Sequence, residues 1–150
     1  MKQQFSFSRT IIAGVTATIV MTLFTYMGQF MNIKMDIPAM LGSIFGGNLL
    51  IGWIMHFMIG IILAFNYAII FYSKIGINPI LLRGAIFGII PWLMAQIIVM
   101  PMMSMVNGMA YSAGLFSGSF MMAMASFVGH LIFGAVVGII YRPEAKLATA

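Results

Sequence analysis

The sequence contains no cysteine and very few charged residues. Of its 150 residues, 6% are Asp, Glu, Lys or Arg, and only two are acidic, whereas about 25% is usual in soluble domains. Without cysteine, the chain has no disulfide and no thiolate ligand or nucleophile. So few charges cannot cover a water-facing surface. This excludes a soluble enzyme, a disordered chain and a nucleic-acid-binding protein, although the formal net charge is +5.

Apolar residues make up most of the chain, at 63%. No Asp, Glu, Lys or Arg occurs in residues 10–33, 37–73 or 84–141, and the last window is long enough for two membrane spans of about 20 residues each. The apolar residues do not alternate with a period of two, which disfavours a barrel. The sequence therefore predicts an all-α fold of four transmembrane helices, with short interfacial helices or re-entrant segments in the two outer loops. The predicted spans are about 11–31, 48–72, 81–103 and 120–141.

The basic residues orient these spans. Only Lys34 falls on the side away from the termini. The others lie in the termini or in the second loop: Lys2, Arg9, Lys74, Arg83, Arg142 and Lys146. Because basic residues are enriched in cytoplasmic loops, we expect a multi-pass protein of the bacterial cytoplasmic (inner) membrane with both termini in the cytoplasm. The lipid bilayer is its expected environment, and no nucleic acid is an expected partner.

Two halves of the chain share a pattern. A histidine is followed by glycine after three further residues and by tyrosine after six more. The pattern occurs at His56, Gly60 and Tyr67, and again at His130, Gly134 and Tyr141. Residues 42–48 also resemble residues 113–119. We therefore expect a single membrane domain, 1–150, of two parallel-repeat helical hairpins, about 10–72 and 80–141, related by a pseudo-two-fold axis along the membrane normal.

Small residues flank both histidines at the spacing of one helical face. The ridge on the second span is Gly52, His56, Gly60 and Ala64, and the ridge on the fourth is Ser126, His130, Gly134 and Gly138. In lipid, small residues allow helices to approach closely. Both ridges are therefore expected to face the interior of the bundle.

The two histidines are the candidate functional residues. A rise of 1.5 Å per residue places His56 about 12 Å and His130 about 15 Å below the outer ends of their spans, where an ionisable residue suggests a functional site. The preferred interpretation is structural, with each neutral imidazole hydrogen-bonded inside the bundle and no cofactor. Two alternatives are that the pair ligates a b-type haem, or that it binds a metal such as copper with help from the chain's 17 methionines. The candidate hydrogen-bond partners are Ser126, Gln96, Asn66, Thr18 and Thr22.

Several strings resemble a known family. They are residues 35–42 (MDIPAMLG), 52–56 (GWIMH), 114–119 (GLFSGS) and the pair Gly129-His130. This pattern is similar to a family of small bacterial four-helix integral membrane proteins classed as a domain of unknown function, over about residues 8–142. The resemblance implies four spans and makes the histidine segments family features. It implies no activity, substrate or cofactor.

No nucleophile–base pair, phosphate loop or carboxylate dyad is present in the sequence, so we expect a protein that is not an enzyme. The favoured interpretation is an accessory or scaffolding subunit of a membrane complex, associating with other transmembrane subunits or with itself. One alternative is an intramembrane cofactor-binding module that uses His56 and His130. A second is a bundle that binds a small molecule or a lipid in the cleft between the repeats.

Overall fold

Four helices of the computed structural model, which describes residues 3–74 and 76–145, are long and apolar enough to cross a membrane. We call them spans 1 to 4: Phe7–Phe30, Leu49–Lys74, Ile80–Val106 and Phe120–Ile140. The prediction of an all-α fold with four long apolar helices is confirmed. Large apolar side chains such as Phe30 and Phe120 lie exposed on the outside of the bundle, as lipid-facing residues do.

Three of the spans are not α-helical throughout. Span 1 is α-helical over Phe7–Met27 and ends in a 3₁₀ turn, Gly28–Met31. Spans 2 and 3 each contain a π-helical segment, Tyr67–Phe71 and Ala95–Val99. The α-helical parts around these segments are Leu49–Asn66, Tyr72–Lys74, Ile80–Met94 and Met100–Val106. A π turn often occurs at functional sites, and the one in span 3 contains the buried Gln96.

Both ends of the described part of the chain lie at one end of the bundle, which we call the terminal end. The strand Gln3–Gln4 pairs antiparallel with Glu144–Ala145, and Arg9 donates to the carbonyl of Arg142 at 3.1 Å. The opposite end, which holds the two connections between spans 1 and 2 and between spans 3 and 4, is the distal end. Of the basic residues used to orient the chain, Lys2 and Lys146 lie outside the described residues.

The four spans do not contact one another equally. Span 1 packs against spans 2 and 4, and span 3 packs against span 4. Among the described residues, spans 2 and 3 approach each other mainly where the π segment Tyr67–Phe71 meets Ile80–Met94. That contact lies near the terminal end. Toward the distal end, spans 2 and 3 are therefore separated.

Glycines lie where the spans approach each other closely. A Cβ atom on Gly14 of span 1 would lie 3.0 Å from the carbonyl oxygen of Gly60 in span 2. A Cβ atom on Gly84 of span 3 would overlap the carbonyl oxygen of Gly134 in span 4. Such close backbone approach is the usual reason for small residues between membrane helices. These glycines pack inside the bundle.

Short helices lie in both distal connections. In the first, the helix Ile37–Ser43 begins with the Asp36 carboxylate accepting from the Ala39 N–H at 2.9 Å, and it packs on span 2, where a Cβ on Gly52 would overlap the Pro38 carbonyl. We call it the loop helix. The second connection contains Tyr111–Gly114 and a 3₁₀ turn, Leu115–Gly118.

Both connections end in residues with positive φ, two in the first and three in the second, where Phe116 also has a φ angle of +50°. Gly46 and Gly47 have φ angles of +65° and +83°, and Ser117 and Gly118 have φ angles of +58° and +64°. In each case the next residue is the N-cap of a span, Asn48 or Ser119. Positive φ favours glycine, and three of these five positions carry it.

Candidate functional site

A cavity of about 210 Å³ lies inside the bundle. All four spans and the loop helix contribute to its wall, which is mostly apolar. The loop-helix residues Ile37, Met40 and Leu41 contribute to the wall at the distal end. The polar residues of the wall are Thr18, His56, Gln96, Ser126 and His130.

His56 is buried, with 7% of its surface exposed, and its Nε2 atom lies 2.9 Å from the Thr22 hydroxyl oxygen. That hydroxyl in turn lies 2.7 Å from the carbonyl oxygen of Thr18. The neighbouring hydroxyls of Thr18 and Thr25 donate in the same way to carbonyl groups of span 1. A hydroxyl has one proton to donate. The Thr22 proton therefore goes to the Thr18 carbonyl, and His56 Nε2 donates to the Thr22 oxygen.

His130 is held by its own helix. Its Nδ1 atom lies 2.8 Å from the carbonyl oxygen of Ser126, and because a carbonyl only accepts, Nδ1 carries the proton. The Ser126 hydroxyl accepts from Gln96 Nε2 at 3.1 Å. The Gln96 side-chain oxygen accepts from the Ser117 hydroxyl at 2.8 Å. This series of hydrogen bonds connects the second distal connection to the histidine.

Both predicted histidines line one cavity. Of the small residues that the sequence grouped with them, some line the same cavity and others pack elsewhere in the bundle. Gly60 and Ser126 line the cavity with the histidines. Gly52 instead packs on the loop helix, and Gly134 and Gly138 pack on span 3. Of the proposed hydrogen-bond partners, Ser126 and Thr22 contact the rings, whereas Asn66 lies exposed. Each ring makes its hydrogen bonds through one nitrogen, and the other nitrogen has no hydrogen bond to a described residue.

The cavity opens sideways between spans 2 and 3. Ile59 of span 2 and Met94 and Val99 of span 3 line the cavity, yet they are 40%, 52% and 38% exposed. Residues that face both the cavity and the outside mark an opening. We call the gap between Ile59, Met94 and Val99 the lateral opening. It lies on the apolar outer surface of the bundle, where lipid is expected.

The cavity does not fit a haem. Its volume is below the range of about 300–1,000 Å³ that is typical of sites for drug-sized ligands. A Cβ on Gly88 of span 3 would overlap the carbonyl oxygen of His130, so the backbones beside this ring already touch. Among the described residues, no group of three His, Cys, Asp or Glu side chains comes together. A metal would therefore depend on the two imidazoles and on methionine sulfurs such as those of Met21 and Met100, which line the cavity.

Sequence reasoning missed three parts of this site. The first is Ser117, whose hydroxyl donates to Gln96. The only sequence signal for Ser117 is its position in a Ser-Gly-Ser cluster beside apolar sequence. The loop helix covers the cavity through ordinary apolar residues, which carry no distinguishing signal. The π segment that contains Gln96 has no recognisable sequence pattern.

Fold and site together define a class of protein: an all-helical bundle of four membrane-length helices around an apolar cavity with two histidines. A family model matches residues 6–148, nearly the whole chain, and the chain belongs to that family, a family of unknown function (DUF6789). The resemblance to a four-helix family of unknown function is thereby confirmed. Searches of curated proteins and of solved structures each found no match.

Proposed function

We propose that this protein is a non-catalytic membrane protein that binds a small, largely apolar molecule in its central cavity. The molecule reaches the cavity from the lipid phase. The observation that carries this proposal is the lateral opening, because Ile59, Met94 and Val99 connect the cavity with the lipid-facing surface. Ligand sites are typically concave and mostly apolar, with a few polar groups that orient the ligand. The wall of this cavity has that composition.

The size of the cavity supports a small ligand. An apolar cavity of about 150 Å³ is enough to hold benzene, and this one measures about 210 Å³. A molecule of one or two rings, or an aliphatic chain of similar bulk, fills such a space. A whole phospholipid does not fit within it.

The chemistry of the wall favours binding over catalysis. The Ser126 hydroxyl lies 3.4 Å from His130 Nδ1, but this nitrogen already carries a proton directed to the Ser126 carbonyl. It therefore cannot act as the base that a serine nucleophile needs. Among the described residues that line the cavity there is no carboxylate.

The other proposed roles draw unequal support. An accessory subunit would need small-residue surfaces that are free to dock on other helices. Gly14, Gly60, Gly84 and Gly134 instead pack against one another inside the bundle, so they give that role no support. A copper site has the two imidazoles and the thioethers of the cavity in its favour, but the apolar lateral opening favours a lipid-soluble molecule over an ion.

We also propose that the chain consists of two related hairpins and that its terminal end faces the cytoplasm. The hairpins are supported by the positive φ angles directly before Asn48 and Ser119 and by the glycine contacts that join span 1 to span 2 and span 3 to span 4. For the orientation, the terminal end holds Arg9, Lys74, Arg83 and Arg142, and the distal end holds Lys34. By the positive-inside rule, the terminal end faces the cytoplasm of a cell whose inner membrane holds the protein.

Blocking the lateral opening tests the proposed function. Ile59→Trp places a large side chain at the opening, and Ile62→Trp places the same side chain on span 2 at an exposed position away from the cavity. Binding of tritiated naphthalene to the purified protein in detergent is measured by scintillation proximity, with excess unlabelled naphthalene as competitor. We expect saturable binding to wild type and to Ile62→Trp, and at least a tenfold loss in Ile59→Trp.

Two outcomes would overturn the proposal. The first is a wild-type signal that unlabelled naphthalene does not displace, since that is partitioning into detergent. The second is equal binding by the two tryptophan variants, since the ligand would then not use the lateral opening. Thermal unfolding of both variants serves as the folding control.

A further inference from the structure

We infer that the molecule bound in the cavity carries a hydroxyl group and that His56 and His130 accept its proton. The ligand class is thus an alcohol or a phenol on a small apolar body. This inference rests on the proposed function and adds the chemistry by which the site would select its ligand. It follows from the direction of the hydrogen bonds that the protein itself makes.

For His130 the direction is fixed by the backbone. The Ser126 carbonyl oxygen can only accept, so at 2.8 Å the proton lies on Nδ1. In a neutral imidazole the other nitrogen, Nε2, then has a lone pair and no proton. No described residue donates to Nε2, and the ring lines the cavity. His130 therefore offers an acceptor to whatever occupies the cavity.

For His56 the direction follows from the assignment of the Thr22 proton to the Thr18 carbonyl, which only accepts and lies 2.7 Å away. The hydroxyls of Thr18, Thr22 and Thr25 all lie within 2.9 Å of carbonyl oxygens of their own helix. Because Thr22 gives its proton to the Thr18 carbonyl, it can only accept from His56 Nε2 at 2.9 Å. The lone pair of His56 is then on Nδ1, and no described residue donates to this atom. The cavity is thus lined by two imidazoles that both accept.

The wall also offers donors, because the Ser126 hydroxyl accepts from Gln96 and keeps its own proton, and the Gln96 amide has a second N–H. The hydroxyl of Thr18 donates to the Gly14 carbonyl, and Gln96 makes hydrogen bonds with Ser126 and Ser117 through both ends of its amide. A ligand whose only polar atom is an ether or carbonyl oxygen can accept from these donors but leaves both imidazole lone pairs without a proton, whereas a hydroxyl group can accept and donate at once. Buried polar groups left unpaired in this way cost binding free energy. A hydroxyl group avoids the cost because it brings a proton.

A matched pair of ligands tests the inference on the wild-type protein. 1-Naphthol and 1-methoxynaphthalene have the same ring system and the same oxygen, but only the first has a proton to donate. Each competes with tritiated naphthalene in the scintillation assay. We expect 1-naphthol to compete about tenfold more strongly, which is the effect of one good hydrogen bond. Geraniol, an aliphatic alcohol of similar size, distinguishes two possible sources of the hydroxyl group. If geraniol competes as strongly as 1-naphthol, the ligand class is an aliphatic alcohol of the membrane. If it competes weakly, the ligand class is a phenol, such as a quinol headgroup.

The outcomes separate this inference from the proposed function. If both naphthalene derivatives compete equally, or if the ether competes better, the hydroxyl inference is wrong while the binding function stands. If naphthalene itself shows no saturable binding, the proposed function fails as well.

Variants of the histidines give a second test. His56→Leu and His130→Leu each remove one acceptor but keep an apolar wall, so each should reduce the preference for 1-naphthol over its methyl ether about threefold or more. Met58→Leu changes an exposed residue of span 2 that does not line the cavity and should leave the preference unchanged. An unchanged preference in both histidine variants, with naphthalene still bound, would overturn the inference. If a histidine variant does not fold, the ligand pair on the wild-type protein still decides.

Discussion

Gly134→Ala is expected to destabilise the bundle by about 2–3 kcal/mol, the cost of overpacking a closely packed interior. The added Cβ would overlap the carbonyl oxygen of Gly84 and would lie 2.8 Å from the backbone nitrogen of Gly88. Both neighbours are backbone atoms, so neither can move away without shifting span 3. Reversible unfolding of the purified protein in mixed micelles of mild detergent and SDS measures the change.

Gly129→Ala is the matched control on the same span. Its Cβ would lie 3.6 Å from Met21 Cε, an ordinary contact with the end of a flexible side chain. Alanine is a better helix former than glycine by about 1 kcal/mol, so this variant should be as stable as wild type or more so. Equal losses in the two variants would contradict the close packing of spans 3 and 4 described above.

Single cysteines introduced at the two ends of the bundle should be labelled from opposite sides of the membrane. Because the natural chain has no cysteine, an introduced thiol is the only one to react. Met109→Cys lies in the distal connection between spans 3 and 4, and Gly76→Cys lies between spans 2 and 3, at a position where a side chain meets nothing within 4 Å. In intact cells, a membrane-impermeant maleimide should label Met109→Cys nearly completely and Gly76→Cys hardly at all.

Permeabilised cells supply the control for this experiment. Both positions are exposed, so both should react once the membrane is opened. The reverse labelling pattern in intact cells would show that the termini face outward, against the orientation inferred from Arg9, Lys74, Arg83 and Arg142. Labelling of both positions from outside would contradict the crossing of the membrane by span 3, which separates them.

The distribution of charge was enough to predict the helices of this fold. Windows without charge predicted four spans, because hydrocarbon admits so few charges. The ends of the spans were less predictable. Span 1 begins at Phe7, before the predicted Ile11, and so includes Arg9 in its first turns. A helix can continue past the hydrocarbon boundary when its side chains reach water. The composition of the sequence does not show at which residue such a helix begins.

The candidate site was predictable in part. Helical spacing placed His56 and His130 on small-residue faces, and both line one cavity. The same spacing grouped Gly52 and Gly134 with them, although Gly52 meets the loop helix and Gly134 meets span 3. One face of a long helix contacts different neighbours at different heights. Spacing along one helix identifies the face, but it cannot say which neighbour each residue meets.

The cavity itself could not be predicted from the sequence. A strict repeat would bring span 2 as close to span 3 as span 1 lies to span 4. In the structure, span 1 packs on span 4, whereas spans 2 and 3 separate toward the distal end. This difference depends on contacts between distant parts of the chain and on the π segment Ala95–Val99, which places Gln96 in the wall. Neither has a local sequence signal.

The most direct test of the central claim is an experimental structure of the protein with 4-bromo-1-naphthol, in which anomalous scattering locates the bromine atom. The account predicts one bromine position inside the bundle, between Ile59 and Val99, with the hydroxyl oxygen within hydrogen-bond distance of His56 Nδ1 or His130 Nε2. Bromine positions found only on the lipid-facing surface, with the cavity closed by its own side chains, would contradict it.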